Sequence, residues 1–161
     1  PVIARLAGPA RAGGVGLVAA CDLAVAATEA SFAFSEVRIG VVPAVISVTV
    51  LPRLTARAAQ ELFLTGETFD ADRAARIGLI TSAVPAGQLD AEVARYVDML
   101  RRGAPGALAA TKRLLREPPT GTMAERFAAM QELSAGFFAG PEGQEGMRAF
   151  AEKRPPSWAS T

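Results

Sequence analysis

The stretch that most constrains the fold is Ala10-Arg11-Ala12-Gly13-Gly14-Val15-Gly16-Leu17-Val18-Ala19-Ala20-Cys21-Asp22. A short apolar run, Pro1 to Leu6, feeds it through a turn at Gly8-Pro9. Gly13, Gly14 and Gly16 then open an apolar, helix-compatible run. A strand, a glycine turn and a helix start form a unit whose first backbone N–H groups have no partner within the helix. Glycine lets that backbone approach a ligand closely, so the unit suits a phosphate, a carboxylate or an oxyanion. The glycines alone do not decide this. G-G-x-G is neither the dinucleotide fingerprint nor the P-loop, and close helix–strand packing with no ligand explains it equally well.

The rest of the chain divides by pattern. Val2 to Leu6 reads as a buried strand, Val15 to Ala20 as a short buried helix, Asp22 to Ala27 as a second strand and Ser31 to Phe34 as a very short third one. Glu36 follows in Ser35-Glu36-Val37-Arg38-Ile39-Gly40, and Gly40 and Pro43 break the chain. Ala44 to Leu51 is open: its valines and isoleucine favour a strand, its place between two prolines suits a buried helix. Thr55 is an N-cap for Ala56 to Leu64 with Gly66 as its stop. Asp70 caps Ala71 to Ile77, and Gly78 ends it. Leu79 to Val84 reads as a last strand. Helical spacing then takes over: Leu89, Val93, Tyr96, Val97 and Leu100; a helix from Pro105 stopped by Pro118-Pro119; a capping box Thr122-Met123-Ala124-Glu125 opening a helix with Met123, Phe127, Met130 and Phe137 on one stripe; and a final helix, about Glu142 to Lys153. The expected organisation is α/β over 1–86 and all-helical over 87–161.

Composition removes several function classes. The chain has no histidine, which excludes a Ser-His-Asp or Cys-His site built from it and argues against a catalytic zinc. Acid–base work then falls to carboxylates, lysine, tyrosine or water. With 17 basic and 16 acidic residues the net charge is +1, so nothing points to nucleic acid or to an anionic membrane surface. No apolar run is long enough to span a bilayer. The single cysteine, Cys21, sits in an apolar run and reads as a buried small hydrophobe, and Pro1-Val2-Ile3-Ala4 lacks the basic region of a signal peptide. A reducing, cytoplasmic setting is expected.

Five features, in order and at matching spacing, carry a resemblance. They are Pro1-Val2-Ile3-Ala4 with Gly8; Gly13-Gly14 running into Ala20-Cys21-Asp22; Phe32-Ala33 with Glu36 and Ile39-Gly40; Leu64-Thr65-Gly66 with Ala74, Ala75, Gly78, Leu79 and Val84; and Glu145-Gly146-Met147 with Ala149-Phe150, Glu152-Lys153-Arg154 and Pro156. Together they resemble the crotonase, or enoyl-CoA hydratase/isomerase, superfamily over essentially the whole chain. The resemblance implies an α/β fold of the ClpP/crotonase type, a spiral of β-β-α turns, here without its N-terminal turns, followed by a helical C-terminal region that builds trimers or dimers of trimers. It also implies an acyl-CoA thioester as substrate, with no metal or redox cofactor.

Residue by residue, Gly13 matches an oxyanion donor whose N–H points at the thioester oxygen, and Gly14 and Gly16 line the same substrate-binding turn. Glu36 matches a catalytic carboxylate. Lys153 and Arg154 match positions that approach the CoA phosphates. Two departures stand out. Gly16 occupies the position of the hydratases' second glutamate, which leaves Glu36 to act alone as in single-glutamate isomerases, or leaves the water to another group. Val41-Val42-Pro43-Ala44-Val45-Ile46-Ser47 replaces a glycine-rich segment. Both features are similar to bacterial methylglutaconyl-CoA hydratase-like members, whose substrate carries a carboxylate that Arg38 or Arg53 would pair. For those arginines an ordinary surface role is the stronger expectation, as core packing is for Phe137 and Phe138. Three readings follow: hydration of a 2-enoyl-CoA, double-bond isomerisation by Glu36 alone, or a non-catalytic crotonase-like subunit that oligomerises through its helices.

Overall fold

Parallel strands need a crossover between them, and helices supply it here. The computed structural model describes residues 1–118 and 120–159. In it β1 (Ile3–Leu6) runs parallel to β3 (Leu23–Ala27), Ile3 opposite Leu23 and Leu6 opposite Ala26, and β3 runs parallel to β6 (Ser82–Val84). The second sheet orders β2 (Ala10–Arg11), β4 (Ser31–Ala33) and β5 (Thr68–Asp70), with β2 parallel and β5 antiparallel to β4. Helix α1 (Gly13–Ala20) carries the chain from β2 to β3. The chain is thus mixed α/β, helix-rich with small sheets. Ala24 to Ala27 of β3 are all buried, the unbroken apolar signature of a strand covered on both faces.

The chain divides into two compact units, Pro1–Tyr96 and a second from Val97 onward. The core of the first holds Phe32, Phe34, Val15, Val50 and Leu62, all essentially inaccessible. Phe34 lies 4.5 Å from Phe63 and 5.7 Å from Phe69, ring centre to ring centre. Local capping signals set the helix ends as their chemistry requires. Thr55 Oγ1 accepts the Ala58 N–H at the start of α3 (Ala56–Thr65), which stops at left-handed Gly66. Asp70 Oδ1 accepts the Arg73 N–H at the start of α4 (Ala71–Arg76).

One open alternative is settled and two expectations change. Ala44–Val50 takes the helical alternative, as α2: Ile46 and Val50, four residues apart, are its buried positions, so packing against the core outweighs β propensity. Leu79 and Ile80 are buried but not in a strand. Their N–H groups both donate to the Ala74 carbonyl, and the strand begins only at Ser82. Two short strands, β2 and β5, carried no sequence signal because each is too short to show alternation.

In the second unit, α6 (Pro105–Arg116), α7 (Met123–Ala139) and α8 (Pro141–Ala151) follow α5 (Leu89–Arg101), which crosses the boundary. Of the expected stop at Pro118-Pro119, Pro119 lies outside the described residues; α6 ends at Arg116. The Thr122–Glu125 capping box forms in both directions. Glu142 accepts the N–H groups of Gly106 and Ala107 at 2.9 and 3.1 Å and so fastens the start of α6 to α8. The stripe on α7 is not core. No residue of α7 is buried, and Phe138, expected to pack inside, is 62% exposed.

Candidate active site

The site is built where two parallel strands end. Ala10 pairs with Phe32 and Arg11 with Ala33. The chain leaves β2 into α1 and leaves β4 into the short 3₁₀ helix Ser35–Ile39. Paired strands stand about 4.8 Å apart, so the two segments that leave them begin as close neighbours. One brings Gly13, the other Glu36.

On the first segment, Ala12 holds φ 44° and ψ −125°, a positive-φ conformation that costs a residue with a Cβ on the order of 1–3 kcal/mol. Its carbonyl accepts the N–H groups of Val15 and Gly16 at 3.0 and 3.4 Å. No side chain caps the helix, and its first turn holds no acidic residue. The Gly13 and Gly14 N–H groups therefore face outward without a partner among the described residues, and a Cβ added at either glycine would meet nothing within 4 Å. Both glycines are exposed, so this turn is accessible to a ligand.

On the second segment, Phe34 anchors the entry and Gly40, at φ 75°, ends the 3₁₀ turn. Val41 N–H donates to the Glu36 carbonyl at 3.0 Å, Arg38 Nε donates to the Thr65 carbonyl at 3.2 Å, and Gly66 packs closely on Val37 and Arg38. The backbone of Glu36 is thus fixed from both sides. Its side chain is not: Oε2 is buried and has no hydrogen-bond partner. Buried polar atoms are nearly always paired, and an orphan marks either strain or a place kept for another molecule.

Gly16 is buried, and its backbone faces α2. A Cβ there would stand 2.9 Å from Ile46 Cγ2, and Thr49 Oγ1 donates to the Gly16 carbonyl at 3.0 Å. Arg53 is taken by the C-terminal end of α1, donating to the Ala19 and Cys21 carbonyls at 3.1 and 3.0 Å, a favourable place for a cation. Cys21 is half-buried rather than buried. Lys153 and Arg154 belong to the second unit. The Arg154 guanidinium grips Glu145 with both ends, at 2.7 and 3.1 Å, and also binds Glu152, while Lys153 is exposed just beyond α8 at φ 53°. Sequence reasoning did not single out Ala12 or bring Ile46 to Gly16. The strained φ has no signature in an alanine, and the Ile46 contact is tertiary.

The family model described as enoyl-CoA hydratase/isomerase matches residues 1–161. The chain belongs to the enoyl-CoA hydratase/isomerase family. Its fold is the crotonase fold. An enoyl-CoA hydratase/isomerase structure from Marinobacter aquaeolei superposes with a TM-score of 0.91 at 36% identity, covering 98% of this chain and 60% of that one. An enoyl-CoA hydratase structure from Mycobacterium avium is 52% identical, with a TM-score of 0.69, over 98% of this chain and 62% of that one. The carnitinyl-CoA dehydratase of Proteus mirabilis is 33% identical over 163 residues, 98% of this chain and 62% of the relative. This chain therefore spans less than two thirds of the length of these family members. Among the described residues no helix is long and apolar enough to cross a membrane.

Proposed function

We propose that the complete protein carrying this chain acts on an enoyl-CoA thioester, adding water across the 2,3 double bond or removing it. Gly13 N–H receives the thioester oxygen, with Gly14 beside it, and Glu36 moves the proton. As the carbonyl becomes enolate-like its oxygen gains charge, so a fixed N–H donor stabilises the transition state more than the substrate. The observation that carries this reading is the orphan Glu36 Oε2, on the segment paired in register with the one that presents the bare Gly13 and Gly14 donors. Two of the relatives are named as a hydratase and a dehydratase, which supports the water chemistry.

The acyl group is apolar in this reading. Arg53 is held by carbonyl groups, Arg38 makes its bond to Thr65, and the side chains that follow Glu36 in the chain are the exposed Val41, Val42, Val45 and Val48. A carboxylate-bearing acyl chain has less support. CoA enters as part of the substrate, and neither a metal nor a redox cofactor takes part. Lys153 is the better of the two C-terminal candidates for the CoA phosphates, since Arg154 is occupied by two carboxylates. A homotrimer or a dimer of trimers would cover the exposed stripe of α7.

A second reading, isomerisation of a 3-enoyl- to a 2-enoyl-CoA by Glu36 alone, is favoured by the packing of Gly16 on Ile46, which leaves one carboxylate. The test is direct. The purified complete protein is given 2-enoyl- and 3-enoyl-CoA thioesters and the products are separated by chromatography. Turnover of neither supports the non-catalytic subunit instead.

A further inference from the structure

Position 16 lies three residues beyond Gly13 on α1. Helical residues three apart share a face, and side chains lean toward the helix N-terminus. A side chain at 16 would therefore rise beside the Gly13 N–H. None is there, and Ile46 fills the place: its Cγ2 would be 2.9 Å, its Cβ 3.3 Å and its Cα 3.6 Å from a Cβ at position 16. Ile46 cannot turn away easily. It is buried within α2, and a β-branched side chain in a helix keeps essentially one rotamer. The Thr49 hydroxyl bonded to the Gly16 carbonyl holds the two helices at this distance.

The two segments that leave the β2–β4 pair, residues 12–20 and 34–50, contain one carboxylate between them, Glu36. Adding water to a 2-enoyl thioester forms a C3–O bond and a C2–H bond while the 2,3 π bond breaks. One group must take a proton from the water and one must give a proton to C2. With Glu36 alone on these segments, the same carboxyl takes the first and returns it to C2. We propose that Ile46 is the specificity-determining residue that keeps this site to a single carboxylate, by occupying the volume a side chain at position 16 would need. This rests on the reading of Glu36 and Gly13 as the reacting site.

A double-mutant cycle in the complete protein tests it. Gly16→Ala would ordinarily stabilise a helix. Here it lowers Tm by about 2–12 °C, the scale of an overpacked core. Ile46→Ala lowers Tm through the cavity it leaves. In the double variant the losses do not add, and at least about half of their sum is recovered. Gly16→Ala as stable as the parent, or strictly additive losses, overturns the steric assignment. For chemistry, Gly16→Glu combined with Ile46→Ala hydrates a 2-enoyl-CoA at least about 10-fold faster than Ile46→Ala alone, a modest share of what a placed acid–base group supplies. Gly16→Glu without the Ile46 change gives no such gain. A gain from Gly16→Glu alone, or none from the pair, overturns the specificity role. Adding Glu36→Gln to the pair separates the two claims: undiminished hydration refutes Glu36 as the reacting carboxyl, whereas the stability cycle stands or falls on Ile46.

Discussion

Replacing Glu36 tests whether a side chain with a buried, unpartnered oxygen is kept for chemistry. Its Oε2 is buried and unpartnered, a state that costs on the order of 1–3 kcal/mol in proteins. Glu36→Leu removes that cost in a similar volume, so Tm stays level or rises by a few degrees. Glu36→Gln keeps the shape and one acceptor oxygen, and Tm changes little. Activity moves the other way. A placed general acid–base group is worth about 10²- to 10⁴-fold, or about 2.7–5.5 kcal/mol of transition-state stabilisation, so kcat for the preferred enoyl-CoA falls by at least that factor in both variants. KM for the glutamine variant stays near the parent value because the binding surface is unchanged. The assay is steady-state loss or gain of the conjugated thioester's ultraviolet absorbance, run beside thermal melts of the same preparations. Near-native turnover by Glu36→Gln refutes the assignment. So does a large drop in Tm for Glu36→Leu, which would mean that the carboxylate has a structural partner after all.

Gly66→Ala places a Cβ at φ 62° against Arg38 and Val37, the turn that carries Glu36. A loss of about 1–2 kcal/mol of stability by chemical denaturation, with a fall in kcat, is the expected result. Glu145 is held down to about 2 from its ordinary 4.5, chiefly by the Arg154 guanidinium and then by the Ser157 N–H. Its folded-state value is depressed, so the stabilisation is complete above pH 4.5 and is lost as pH falls from there to about 2. Melts across that range show the loss, and Glu145→Gln flattens it. The complete protein scatters light as a trimer or hexamer at micromolar concentration; a monomer refutes that assembly.

Helix ends were legible because their chemistry is local. Thr55, Asp70, Thr122 with Glu125, and Gly66 each act within a turn of where they stand, and each does what its residue type implies. The glycine-led start of α1 was readable for the same reason. What makes the site was not. The register of β2 on β4 joins segments separated by a helix and a strand, and two residue pairs leave no periodic trace. Ile46 lay in a segment whose pattern fitted strand and helix alike, and its contact with Gly16 is tertiary. Glu36 drew attention only through the family pattern around it; nothing in Ser35–Ile39 itself announces that one carboxylate oxygen is left alone.

The β2–β4 ladder has only two residue pairs, whereas β1 and β3 share four. What holds β2 on β4 is therefore packing more than the ladder: Ala10, Phe32 and Ala33 are buried, and β4 is backed by three pairs to β5. A molecule that bonds to Gly13 N–H and Glu36 at once would add a staple across this two-pair junction. Amide exchange in β2 and β4 slows when such a thioester analogue binds, and exchange in β1 and β3 does not.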